Sequence, residues 1–151
     1  MGTHYKGTPR EKQALSAYIN LTRACESLSE RIHEHLTAEN LGPTEFAVLE
    51  ALLHLGPLRQ HAIAEKILKT RGNVTQVIDK LEKRGLTQRK TETCDRRCTT
   101  VSLTAAGKKL IAPVFKRHAE VLCREMSLLS QDEQESLRII CRKLGKGGSK
   151  T

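Results

Sequence analysis

Thr70-Arg71-Gly72-Asn73-Val74-Thr75-Gln76-Val77-Ile78-Asp79-Lys80-Leu81 is the stretch whose reading decides the fold. Val74, Val77, Ile78 and Leu81 recur at i, i+3, i+4 and i+7, so the spacing predicts a helix with one apolar face. Thr70 stands just before its first turn, where a hydroxyl can accept an orphan backbone N–H. The opposite face carries Arg71, Asn73, Gln76, Lys80 and Lys83. Such hydrogen-bonding and cationic groups suit base edges and phosphates. An ordinary surface helix also has a polar outer face, so the flanking sequence has to decide.

Upstream, Gln60 to Leu68 forms a shorter helix with Ile63, Ala64 and Ile67 facing in, and Lys69-Thr70 is a tight turn. Two short helices joined in this way make a helix-turn-helix, and Ala64 is small enough to let them approach closely. Gly85 ends the second helix as a left-handed cap. Downstream lie Leu86 to Thr91, a charged tip Cys94-Asp95-Arg96-Arg97-Cys98, and Thr99 to Leu103, where Thr99, Val101 and Leu103 alternate as in a half-buried strand. A β-hairpin directly after a helix-turn-helix is a wing.

Further out the periodicity stays helical. Glu11 to Leu36 repeats apolar residues at three and four, and at about 1.5 Å per residue it spans about 39 Å. That exceeds what a small globule needs, so part of its stripe should meet another element or subunit. Gly42-Pro43-Thr44-Glu45 opens a helix that Gly56-Pro57 stops, with Gly42 as its cap. Thr104 caps a helix over 105–129 that Pro113 bends or breaks. Ser130 and Glu133 form a capping box for a last helix whose Leu137, Ile140, Cys141 and Leu144 face in. Residues 1–10 and 145–151 read as flexible ends. The expected fold is mainly α, an α+β winged helix of six helices with a β-hairpin wing.

Among the 151 residues lysine and arginine outnumber acids by +9, and aromatics are 3% with no tryptophan. The surplus suits a polyanion such as nucleic acid, or an anionic membrane. No amphipathic basic helix with aromatic anchors supports a membrane surface, and few aromatics are available to stack on single-stranded RNA. No signal peptide or membrane span is read, so the expected location is cytoplasmic. Five cysteines without an export signal should be reduced thiols.

The chain is identified by these stretches as similar to the MarR family of winged-helix transcription factors. The resemblance rests on Leu58-Arg59-Gln60-His61-Ala62-Ile63-Ala64, on Asn73 through Leu86, on Asp95-Arg96-Arg97, and on Val101-Ser102-Leu103-Thr104-Ala105-Ala106-Gly107. It covers roughly residues 11–144. It implies one interleaved domain: a winged helix-turn-helix DNA-binding region over 43–103, and a helical dimerisation region over 11–36 and 105–144. It also implies a homodimer that represses a near-palindromic operator and a ligand or oxidant that relieves binding. The position of Arg97 is one that, in the family, often sends a wing arginine into the minor groove.

Helix-turn-helix docking sends the second helix into the major groove N-terminus first. Arg71, Asn73 and Gln76 are then the base-edge candidates, Thr70, Thr75 and Lys80 the phosphate candidates, and Arg96 and Arg97 the minor-groove candidates. Asp95 is read as orienting an arginine. A small-molecule inducer between the two regions would meet Tyr18, His33, Phe46 and His54. A rival switch is cysteine oxidation: Cys94 and Cys98 bracket the wing tip beside cations that favour thiolate. Cys25 is read as a small buried residue of the first helix, with a redox role as the alternative. His33 and His35 fall on different helix faces and no tight Cys/His cluster is read, so neither metal nor cofactor is expected. The non-regulator alternative is a thiol-dependent antioxidant enzyme, but no Cys-x-x-Cys or nucleophile elbow supports it.

Overall fold

The computed structural model describes residues 4–92 and 95–146, with residues 92 and 95–98 described by their backbone alone. Helix α1 (Pro9–His33) opens on Thr8. The Glu11 N–H donates to the Thr8 hydroxyl, while the Thr8 N–H donates to the Glu11 carboxylate at 2.8 Å. This reciprocal cap, with Pro9 tolerated in the first turn, moves the helix start ahead of Glu11. Residues 9 and 10 therefore do not belong to an arm. At the other end the chain tightens into a 3-10 segment (Glu34–Glu39), closed by Asn40 at φ 52°. The α-helix thus ends at His33 and not at Leu36. Helix α2 (Pro43–Leu55) starts as its sequence indicated, the Glu45 carboxylate accepting from the Gly42 N–H at 2.7 Å.

Leu58 and Arg59 form β1, which no alternation could reveal because two residues have no period. Helices α3 (Gln60–Lys66) and α4 (Arg71–Lys83) follow. The turn between them holds Leu68 in the left-handed region at φ 54°, which is why α3 stops short of it. Strands β2 (Thr87–Glu92) and β3 (Asp95–Leu103) are antiparallel, and the sheet order is β1-β3-β2, with Leu58 opposite Val101 and Thr87 opposite Leu103. The backbone from Asp95 onward is strand, so the expected tip over 94–98 is shorter than the charge pattern suggested.

Helix α5 (Ala105–Met126) runs through Pro113 without a break and stops before Leu129. Its start is pinned to the end of the helix-turn-helix. The Thr104 hydroxyl donates to the Gly85 carbonyl at 2.6 Å and the Thr104 N–H to the Leu86 carbonyl at 3.1 Å. A Cβ at Gly107 would lie 1.9 Å from the Leu86 carbonyl oxygen, so only glycine allows this approach. Helix α6 (Gln131–Lys146) is capped by Ser130 and Glu133 and continues through Gly145, which the sequence had assigned to a flexible tail.

The core is the winged lobe with the first half of α5. Leu36, Phe46, Leu49, Ile63, Val74, Ile78, Leu81, Val101 and Ile111 are buried together. α1 and α6 bury no residue. Leu137, Ile140, Cys141 and Leu144, expected to face in, are exposed, with Ile140 at 55% and Leu144 at 61%. Cys25 is likewise exposed and not a buried core residue. Periodicity identifies an apolar stripe but not what covers it, and among the described residues α5 covers α1 only in part and α6 keeps its stripe exposed.

Candidate nucleic-acid interface

The fold presents α4 with its two faces fully separated. Val74, Ile78 and Leu81 are at 0% exposure, while Arg71, Asn73 and Gln76 project from the opposite side. Among the described residues these three side chains make no hydrogen bond or ion pair. Thr70 caps the helix as its sequence indicated, its hydroxyl accepting from the Asn73 N–H at 3.3 Å.

The neighbouring polar residues are engaged. Thr75 donates to the Arg71 carbonyl at 2.9 Å and accepts from the Gln60 carboxamide, which ties α3 to α4. Lys80 Nζ lies 3.0 Å from Glu45 Oε1, and Arg84 reaches the same oxygen at 3.8 Å. Glu45 is 5% exposed. Burial by itself would push its carboxyl up, but the Gly42 N–H bond, Lys80 and Arg84 together outweigh burial and leave it below the usual carboxylate range. Arg84 also donates to the Asn40 carbonyl at 2.8 Å and to the Glu39 carbonyl at 3.3 Å. The C-terminal end of α4 is therefore fastened to both α2 and the end of the 3-10 segment.

A second fastening holds the wing. Arg89 of β2 contacts Asp79 at 2.7 Å and Glu82 of α4, whose carboxylate also accepts the Arg89 N–H at 2.8 Å. The guanidinium is planar and can meet two carboxylates at once, so the strand is oriented against the helix. Sequence reasoning missed Glu45 and Arg89 because their partners lie on other elements. A carboxylate at the capping position and an arginine in a strand carry no signal of pairing.

Asp95, Arg96, Arg97, Cys94 and Cys98 have side chains outside the described residues. Among the described residues, His33, Tyr18 and His54 each stand beside a different cleft. Tyr18 is 65% exposed beside Tyr5 and Leu15. His54 stands edge-on to Phe115 with ring centres 4.4 Å apart. His33 and Phe46 do converge, both on His118, at 5.8 Å and 4.5 Å. His35 joins them at 5.3 Å. This is a stack of rings and not a ligand set, since among the described residues no group of three or more histidine, cysteine or acidic side chains could hold a metal ion; the third ring, from α5, is one that the sequence reading did not single out. Among the described residues no helix is long and apolar enough to cross a membrane.

Comparison with known proteins agrees with this geometry. Residues 41–99 match the profile of the MarR family. The chain is 37% identical over 134 residues to the HTH-type transcriptional regulator MhqR of Bacillus subtilis, covering 89% of this chain and 92% of that protein. It is 33% identical over 135 residues to the transcriptional repressor MprA of Escherichia coli, covering 83% and 75%. Among solved structures, Bordetella bronchiseptica BpsR, a protein whose DNA binding is regulated by 6-hydroxynicotinic acid, superposes with a TM-score of 0.79 at 20% identity over 97% of this chain and 99% of that one.

Proposed function

We infer how this chain works from one premise: it belongs to the MarR family and is a DNA-binding transcriptional regulator. The remaining steps are our own reading. The N-terminal half of α4 enters the major groove, with Arg71 on guanine acceptors and Asn73 and Gln76 on adenine or neighbouring edges. The observation that carries this assignment is the set of three exposed side chains without partners on a helix otherwise fixed on every side. Unengaged hydrogen-bonding groups on a rigid frame bind a base edge with little ordering cost.

Thr70 and the free N-terminus of α4 serve a phosphate. Thr75 positions α4 through Gln60, and because its O–H is donated to the Arg71 carbonyl it has no proton to offer a phosphate and is left out of the proposed contact set. Lys80 is held by Glu45 and is left out of the proposed contact set. Arg96 and Arg97 extend from the wing toward the minor groove, oriented by Asp95.

α1, α5 and α6 form the dimerisation region. Leu15, Tyr18, Leu137, Ile140 and Leu144 are exposed on two helices that bury nothing in one chain. A second copy covers them, and the paired lobes engage two half-sites about one helical turn apart. An inducer relieves repression by selecting a lobe spacing that breaks simultaneous engagement. A cleft of about 500 Å³ between α1 and the start of α2, beside His33 and Pro43, is where such a molecule would lodge.

Selection of bound sequences from random duplexes tests the reading. The expected product is a near-palindrome with half-sites centred about 10 base pairs apart, bound by a dimer in sedimentation. A monomer that binds its best duplex tightly, or a selection without consensus, refutes it.

A further inference from the structure

The two parts of the chain share α5. Its first half enters the lobe core through Ile111 and Val114, and its second half meets α1, where Arg31 pairs with Glu125 at 2.7 Å. His118 lies between these contacts, 8% exposed. Three elements close over it: His33 from α1, stacked at 5.8 Å, His35 from the 3-10 segment at 5.3 Å, and Phe46 from α2 at 4.5 Å. His33 has a partner in the Ser29 hydroxyl at 3.1 Å. His118 Nδ1 is buried with none, and His35 has only the Ile32 carbonyl beside it.

We propose that this histidine cluster is a proton-operated joint: acidification opens it, shifts the lobes against the dimerisation helices and weakens operator binding. The proposal rests on the DNA-binding reading above. Neutral imidazoles pack against one another and against Phe46. An imidazolium needs acceptors for two N–H groups, and a second cation beside it is repelled. Burial pushes His118 below the ordinary histidine range, with His35 and His33 adding to the effect. Burial does the same to His35; the Ile32 carbonyl opposes it in part, and Arg117 and His33 reinforce it.

The surrounding charges are mixed. Arg117, Lys109, Arg31 and Arg124 line the two clefts that His35 divides, and they disfavour protonation. Glu34, Glu39 and Glu120 line the same clefts and favour it, while α2 contributes the uncharged Phe46. Protonation is therefore available at mild acidity, but only when the rings separate toward these carboxylates. The 3-10 segment that would move ends at Glu39 and Asn40, whose carbonyls hold Arg84 at the end of α4. Displacement at His35 is thus passed to the reading helix.

The sign of the effect makes it testable. Protonating surface histidines adds positive charge and tightens binding to a polyanion. Only a structural change loosens it. Duplex affinity of the dimer is measured by fluorescence anisotropy between about pH 7.5 and about pH 5.5 at fixed ionic strength. The wild type should lose about tenfold or more over this range, which is what a difference of about one pKa unit between the closed and the open joint produces. His118→Phe, which keeps the packing without the proton, should change by less than about threefold. Should His118→Phe fail to fold by circular dichroism, His35→Gln serves as the second variant and should flatten the profile likewise. A wild-type profile that is flat or tightens in acid, or a folded variant that follows the wild type, overturns the joint while leaving DNA binding intact. Absence of any duplex binding at the higher pH sinks the regulator reading itself.

Discussion

Gly107 offers the sharpest test of how the lobe is fixed to the long helices. In Gly107→Ala the new methyl would stand 1.9 Å from the Leu86 carbonyl oxygen and 2.9 Å from its carbon. These are backbone atoms, and Leu86 O already accepts from Thr104 N–H at 3.1 Å. Neither can swing aside as a flexible side chain would. To restore ordinary contact the first turn of α5 must withdraw by more than about 1 Å, in an interior packed as densely as a crystal. Forcing in a methyl of this kind costs about 1–3 kcal/mol, and alanine recovers up to about 1 kcal/mol through helix propensity. For a protein of this size each 1 kcal/mol lowers the midpoint by about 2–4 °C. The net expectation is a melting temperature lower by several degrees, measured at fixed protomer concentration because association shifts it. Gly72 supplies the control. A Cβ there meets nothing within 4 Å, so Gly72→Ala should raise the melting temperature slightly. The same chemical change thus has opposite signs in two helices. If Gly107→Ala melts at or above the wild-type temperature, α5 is not seated on Leu86 as described.

Four further outcomes are expected. Arg71→Ala and Gln76→Ala should each weaken the selected duplex by about 1–3 kcal/mol while leaving the melting curve and binding to random DNA unchanged; equal losses on both DNAs would make them phosphate contacts. Arg89→Ala removes the brace to Asp79 and Glu82, so it should reduce duplex affinity measured by anisotropy on the full chain, and an unchanged affinity would refute the brace. Glu45→Gln should destabilise at neutral pH by about 1–2 kcal/mol. Because the folded carboxyl lies below its unfolded value, its contribution is present above about pH 4.3 and disappears as pH falls through the folded value; chemical denaturation at two pH values should show the gap closing in acid. Leu68→Gly relieves a left-handed leucine that is 88% exposed, and should stabilise by about 1 kcal/mol in the same denaturation experiment.

The helix-turn-helix was legible because its periodicity, its Thr70 cap and its Gly85 stop are all local. Val74, Ile78 and Leu81 had to share one face, whatever they packed against. The hairpin was legible from Thr99, Val101 and Leu103 for the same reason. What escaped were relations between distant residues. Glu45 and Arg84 are 39 positions apart in sequence yet share an ion pair, and nothing in either residue's neighbourhood announces it. β1 escaped because two residues cannot display a period. The histidine cluster escaped because His33 and His35 were judged on an ideal helix, whereas the chain tightens into a 3-10 turn after His33 and a third ring arrives from α5. The inward face of α6 was misjudged in the opposite sense: its stripe is real, but within one chain it has no cover.

The same relations change what the charge surplus means. A net +9 suggests that many cations await phosphates. Several do not. Lys80 and Arg84 are held by Glu45, Arg89 by Asp79 and Glu82, and Arg31 by Glu125. These side chains set the angle of α4 against α2, the wing against α4, and α1 against α5. Arg71, Lys69 and Lys83 remain exposed near the reading face. An assembly of this kind draws sequence discrimination from position and only part of its affinity from charge, since only unengaged cations neutralise phosphates and release counterions on binding. The steepness with which salt weakens binding should therefore follow the small exposed set in two lobes, well short of the formal surplus. On the proposed reading, the paired arginines hold the frame that allows those few to find their bases together.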